Sequence, residues 1–191
     1  MKLSCLLPKA TLILHTASSQ PTPVISSADT ADIASTLLLF YRSLDLKSDP
    51  LLRTITTTNF TFDGTAFSSI GIGAPVPLVG QDVIIPGLLE GFKNLTTMHN
   101  VGNFNVTAYN GNKKGDRHAE EERANATAYV LAYHYKALEV PRESPRNNYL
   151  MGTLFLGDLV KKGEKGKWKF ERVELKPFFQ SGNSDVMGLG Q

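Results

Sequence analysis

The run Thr127-Ala-Tyr-Val-Leu-Ala-Tyr-His-Tyr135 decides how the rest of the chain is read. β-branched and aromatic residues dominate it, which fits a pleated, half-buried surface better than a helix. Alternation then sets Tyr129, Leu131, Tyr133 and Tyr135 on one face and leaves His134 on the other. Working outward, three more runs of similar character follow at residues 100–109, 148–160 and 167–177 beside this one at 125–138. Between them lie the polar stretch Asn110–Arg123, the segment Pro141–Asn147 and a Lys/Gly turn, Lys161-Lys-Gly-Glu-Lys-Gly-Lys-Trp-Lys169.

Upstream the periodicity changes. Ile33, Leu37, Tyr41 and Leu44 recur at spacings of three and four, which predicts a helix capped by Ser27 or Asp29 and ending near Asp45. Asp49-Pro50 opens a second helix, with Leu51, Leu52 and Ile55 inward. Asn59–Asp63 reads as a short strand, and Gly71-Ile-Gly-Ala-Pro-Val-Pro77 as a loop without a strand–helix phosphate motif. A third helix runs from Gly80 to Lys93, carrying Val83, Ile84, Leu88, Leu89 and Phe92. Helices first and long strands afterwards predict an α+β fold: a strongly curved antiparallel sheet wrapped around the N-terminal helices, with a central pocket. Residues 1–28 read as an N-terminal arm, 29–180 as the one domain and 181–191 as a flexible tail.

Composition narrows the function classes. With 191 residues and 41% apolar content the chain suffices for a single core. Twenty basic and eighteen acidic residues leave a net charge of +2, with no basic face of the kind that nucleic acids require. No apolar stretch approaches the roughly 20 residues needed to span a bilayer as a helix. The single cysteine, Cys5, permits no internal disulfide, and Cys/His zinc spacing is absent. Lys2 and Leu3-Ser-Cys-Leu-Leu7 look like a leader, but Pro8 and Lys9 interrupt it. Four Asn-x-Thr sequons, at Asn59, Asn94, Asn105 and Asn125, weigh on the side of secretion. Two of them fall in predicted strands, poor places for a glycan, and a cytoplasmic location is favoured.

Two histidines and a carboxylate carry the chemistry. His99 follows the third helix, His134 lies in the middle strand, and Asp45 closes the first helix, where the helix dipole disfavours a negative charge. Either a partner holds that charge or it sits in a solvated turn. Imidazoles titrate near neutrality, so two facing one cavity could move protons. A strand histidine held by ordinary hydrogen bonds is the alternative.

Three strings give the chain a family likeness: Thr96-Thr-Met-His-Asn-Val-Gly-Asn103, Tyr129-Val-Leu-Ala-Tyr-His-Tyr135, and Gly166-Lys-Trp-Lys-Phe170 leading to Leu175-Lys-Pro177. Across residues 30–180 the chain resembles the NTF2-like superfamily, in its SnoaL-like, scytalone dehydratase-like branch. The resemblance implies a cone-shaped α+β fold and a cofactor-independent dehydratase, isomerase or cyclase working on a small apolar or aromatic, polyketide- or terpenoid-like metabolite of secondary metabolism. It implies that His99 relays the proton while Asp45 holds His134, with no metal or cofactor. Two tyrosines of the family fall on Leu44 and Gly64, and polar substrate contacts fall near Leu154 and Leu156, so a greasier substrate is implied. Tyr41 could replace a lost hydroxyl, and Asp63 could be a second acid. The competing function is a non-catalytic NTF2-like module that binds a small ligand or dimerises. The apolar face of Tyr129, Leu131, Tyr133 and Tyr135 predicts a homo-oligomer, dimer or trimer.

Overall fold

In the computed structural model, described for residues 24–109, 121–137, 146–162 and 166–188, helices come first and long strands follow. Helix α1 spans Ser27–Asp45 and α2 Asp49–Ile55. Strand β1 (Thr56–Asp63) is followed by a 3-10 turn (Thr65–Ile70), the short β2 (Leu78–Val79) and α3 (Gln81–Phe92). Strands β3 (Leu95–Ala108), β4 (Glu121–Lys136), β5 (Tyr149–Lys162) and β6 (Lys169–Gly182) complete the sheet. Its order is β2-β1-β6-β5-β4-β3, an open sheet with β2 and β3 at the edges. The expectation of a purely antiparallel sheet needs one correction: β1 lies parallel to β6, with Phe62 opposite Val173. Because β1 enters from the helical layer and not from a hairpin, nothing forces it to reverse against β6.

The cap of α1 is Ser26, not Ser27 or Asp29: its hydroxyl accepts from the Asp29 amide at 3.0 Å. Asp29 then receives Trp168 Nε1 at 2.8 Å and Lys161 Nζ at 2.9 Å, which ties the first helical turn to the far ends of β5 and β6. These donors, that of Ser26 foremost, lower the Asp29 pKa to about 2. On the inner face Phe40, Phe155 and Phe170 are fully buried and meet edge-on or tilted, with centroids 5.5–6.0 Å apart. In β4 the small Ala124, Ala126 and Ala128 let α1 approach the sheet. Gln81 Nε2 donates to the Arg53 and Thr56 carbonyls and to Thr56 Oγ1, pinning α3 to the α2–β1 junction.

Two positions in the helices differ from expectation. Val83 is 60% exposed, and Ile85 takes the inward place. Residues 181–188, read from sequence as part of a tail, finish β6 and form a second 3-10 turn (Ser184–Met187) in which Val186 is buried. Residues 1–23 of the expected arm, 110–120 of the polar stretch, most of Pro141–Asn147 and the centre of the Lys/Gly turn lie outside the described residues. No helix among the described residues is long and apolar enough to cross a membrane.

Candidate active site

Between the helices and the inner face of the sheet lies a cavity of about 390 Å³. Its walls are apolar: Leu44 of α1, Phe62 and Phe67 around β1, Leu88 and Phe92 of α3, Met151 and Leu175 of the sheet. The segment between β1 and α3 closes one side with Ile72, Gly73, Ala74 and Val76, and Met187 adds a contact from the last 3-10 turn. Its polar side chains are Tyr41, Thr153, His99 and His134, and no Asp, Glu, Lys or Arg of the described residues lines it.

Alternation along β3 turns Thr97 and His99 inward while Met98 stays 52% exposed. The C-terminal end of α1 abuts this strand, which places Asp45 beneath both residues. Asp45 Oδ1 accepts from His99 Nδ1 at 2.7 Å and from Thr97 Oγ1 at 2.7 Å, and Oδ2 accepts from the His99 amide at 3.2 Å. Burial pushes the Asp45 carboxyl upward, but the His99 and Thr97 hydrogen bonds outweigh it and hold the group below its ordinary value. A charge that the helix dipole disfavours is thereby given three donors.

The expected pairing of Asp45 with His134 is wrong. His134 belongs to β4, one strand further from α1, and stands opposite Thr97 in the ladder. Its Nδ1 lies 3.3 Å from the Tyr149 carbonyl oxygen. Phe92 stacks on its ring at 6.1 Å, and His99 meets it edge-on at 6.0 Å. Burial first, and the neighbouring His99 second, lower the His134 pKa to about 4. His134 is therefore neutral at pH 7, and His99 is the histidine that the Asp45 carboxylate holds. Both histidines line the one cavity, as expected.

Tyr41 also lines the cavity, its ring 4.9 Å from that of His99. Its hydroxyl is buried without a hydrogen bond of normal geometry, although Thr153 lies near enough to act on it. Burial raises its pKa well above the usual tyrosine range, so it stays a donor. Leu44 and Gly64, the positions matched to tyrosines of the family, both face the cavity.

Three expected substrate contacts lie elsewhere. Leu154 and Leu156 pair with Tyr129 and Thr127 on the outer face, while Thr153 and Phe155 turn inward. An alignment one residue out of step reverses every side chain of a strand. Asp63 accepts from Thr65 Oγ1 at 2.7 Å and from Arg172 Nη2 at 2.5 Å, so it caps a turn and pairs a cation outside the cavity. Sequence reading missed Thr153, whose signal was the same alternation in β5 counted from Tyr149.

No protein-family model matches the chain, and no curated protein matches it in sequence. Solved structures do. The Kfla4162 protein of Kribbella flavida superposes with a TM-score of 0.65 at 22% identity, covering 84% of this chain and 97% of that one. A scytalone dehydratase-like protein of Novosphingobium aromaticivorans gives 0.59 at 18%, covering 81% and 87%. The LinA-type3 hexachlorocyclohexane dehydrochlorinase of Novosphingobium barchaimii gives 0.57 at 12%, covering 81% and 90%. At these identities the likeness concerns architecture, and in architecture the chain has the NTF2-like fold.

Proposed function

We propose that the protein is a cofactor-independent acid–base catalyst of elimination or isomerisation on a small, uncharged, largely apolar metabolite. The observation that carries this is the 2.7 Å contact between His99 Nδ1 and Asp45 at the wall of an otherwise apolar cavity. The ionised carboxylate accepts the Nδ1 proton, which fixes the tautomer and leaves the Nε2 lone pair for the cavity. That nitrogen removes a proton from a carbon beside an electron-withdrawing group. The C–H electron pair becomes a double bond. In elimination, a group on the next carbon departs with its own bonding pair, and imidazolium returns the proton to it. In isomerisation, the proton returns to a different carbon. Asp45 stabilises the imidazolium in between.

A fold shared with a dehydrochlorinase and a scytalone dehydratase-like protein supports the reaction type. The uncharged lining supports a neutral substrate. A non-catalytic binding module is the second reading, and the apolar walls, built for affinity, favour it. Deuterium exchange separates the two. Small cyclic ketones in D2O at neutral pD should exchange their α-protons faster with the wild-type protein, an effect lost in His99→Ala. If wild type and His99→Ala are equally inert, both in exchange and in elimination from β-hydroxy and β-chloro ketones, the binding-module reading stands.

A further inference from the structure

We propose that His134 is a fixed hydrogen-bond acceptor that selects a substrate bearing a hydroxyl group, and that it does not shuttle protons. This deepens the reading of the same cavity and rests on its being the substrate site. The Tyr149 carbonyl can only accept, so the 3.3 Å contact requires His134 Nδ1 to carry the hydrogen. In a neutral ring Nε2 then holds a lone pair and no proton, and His134 presents that nitrogen to the cavity it lines.

The groups around the ring keep it neutral. From β3 comes His99, which becomes cationic when it takes a proton. From α1 come Tyr41 and Asp45, whose carboxylate is already engaged by Thr97 and His99. Neutral Tyr149 faces it from β5, and Phe92 of α3 covers one side of the ring without any charge. A second cation 6.0 Å from an imidazolium, with only a carbonyl as its partner, is strongly disfavoured. The low His134 pKa, about 4, agrees. An acceptor left unmet in such a place is costly, and a ligand O–H satisfies it. The cavity thus offers a fixed acceptor beside the base.

Equilibrium binding of 2-naphthalenemethanol and 2-ethylnaphthalene to the full chain tests this directly, because the two differ by O–H against CH3. Wild type should prefer the alcohol by about tenfold, the scale of one buried hydrogen bond. His134→Leu should lose that preference and favour the hydrocarbon, because the alcohol O–H is then buried without this partner. Nitrogen-15 spectra of the wild-type histidines give a reading that needs no variant. At pH 7 His134 should show a protonated Nδ1 and a bare Nε2, and Nε2 should shift on adding the alcohol but not the hydrocarbon. A protonated Nε2, or an alcohol preference that survives His134→Leu, overturns the proposal. Deuterium exchange that persists while the preference is absent sinks this inference alone, whereas the reverse result sinks only the catalytic reading.

Discussion

Asp45 ends a helix with its charge at the unfavourable pole, and the three hydrogen bonds it receives from Thr97 and His99 explain why it is tolerated there. Two consequences follow for activity. His99→Ala should lower the exchange rate by about 10²–10⁴-fold, the usual contribution of a positioned base. Asp45→Asn should lower it less, since the imidazole keeps its place but loses the charge that steadies its protonated form. Both are read from exchange kinetics under saturating ketone, and chelators should change neither rate. His134 makes a prediction about stability. Its folded pKa, about 4, lies below the unfolded value of about 6.5. The unfolded chain therefore binds a proton first as pH falls, and stability drops between about pH 6.5 and pH 4 by up to about 3 kcal/mol. Urea midpoints at pH 7 and pH 4.5 should diverge less in His134→Gln than in wild type; an equal loss in both would assign the effect elsewhere. Sequence alone made the three residues visible through residue type and the odd placement of a carboxylate. It did not show which histidine meets Asp45, because that depends on which strand lies under the end of α1.

Among the elements, legibility followed the strength of the pattern. The three helices and four long strands stand where their periodicities put them, within a few residues at each end. Leu154 and Leu156 failed for the complementary reason: alternation names two faces but does not say which is inner. The inner face of β5 is marked by Gly157, where an added Cβ would meet the Phe170 ring at 2.7 Å and the Phe155 ring at 2.8 Å. Gly157→Ala should therefore destabilise the fold by about 1–3 kcal/mol, the cost of overfilling a core, measurable as a lowered urea midpoint. Leu156→Ser, on the outer face, should leave the cavity's affinity for ligands unchanged. The β1–β6 parallel pairing was not legible, since pairing between distant strands leaves no local mark.

For the molecule as a whole, the outer face of the sheet is the conspicuous surface. Met98, Tyr129, Leu131, Phe178 and Phe179 are 36–55% exposed there, and the Tyr129 and Phe178 rings lie 5.7 Å apart. The alternation in β4 foretold this face, although not the contribution of Phe178 and Phe179. We expect self-association through it. Light scattering should report a dimer or trimer at micromolar concentration, and Leu131→Lys should shift it toward monomer without altering the ligand cavity. A wild-type monomer would discard the idea.

The parallel seam between β1 and β6 also governs when the molecule can form. β1 is synthesised more than a hundred residues before Arg172 and Val173, its neighbours in the sheet. Until then the floor beneath the helices lacks Phe170 and Val173, and the cavity has no wall at Leu175. Sequence-distant contacts of this kind make folding slow and close to all-or-none. A nascent chain halted before Lys169 should thus remain protease-sensitive throughout, and protection should arrive in a single step once β6 is free to dock.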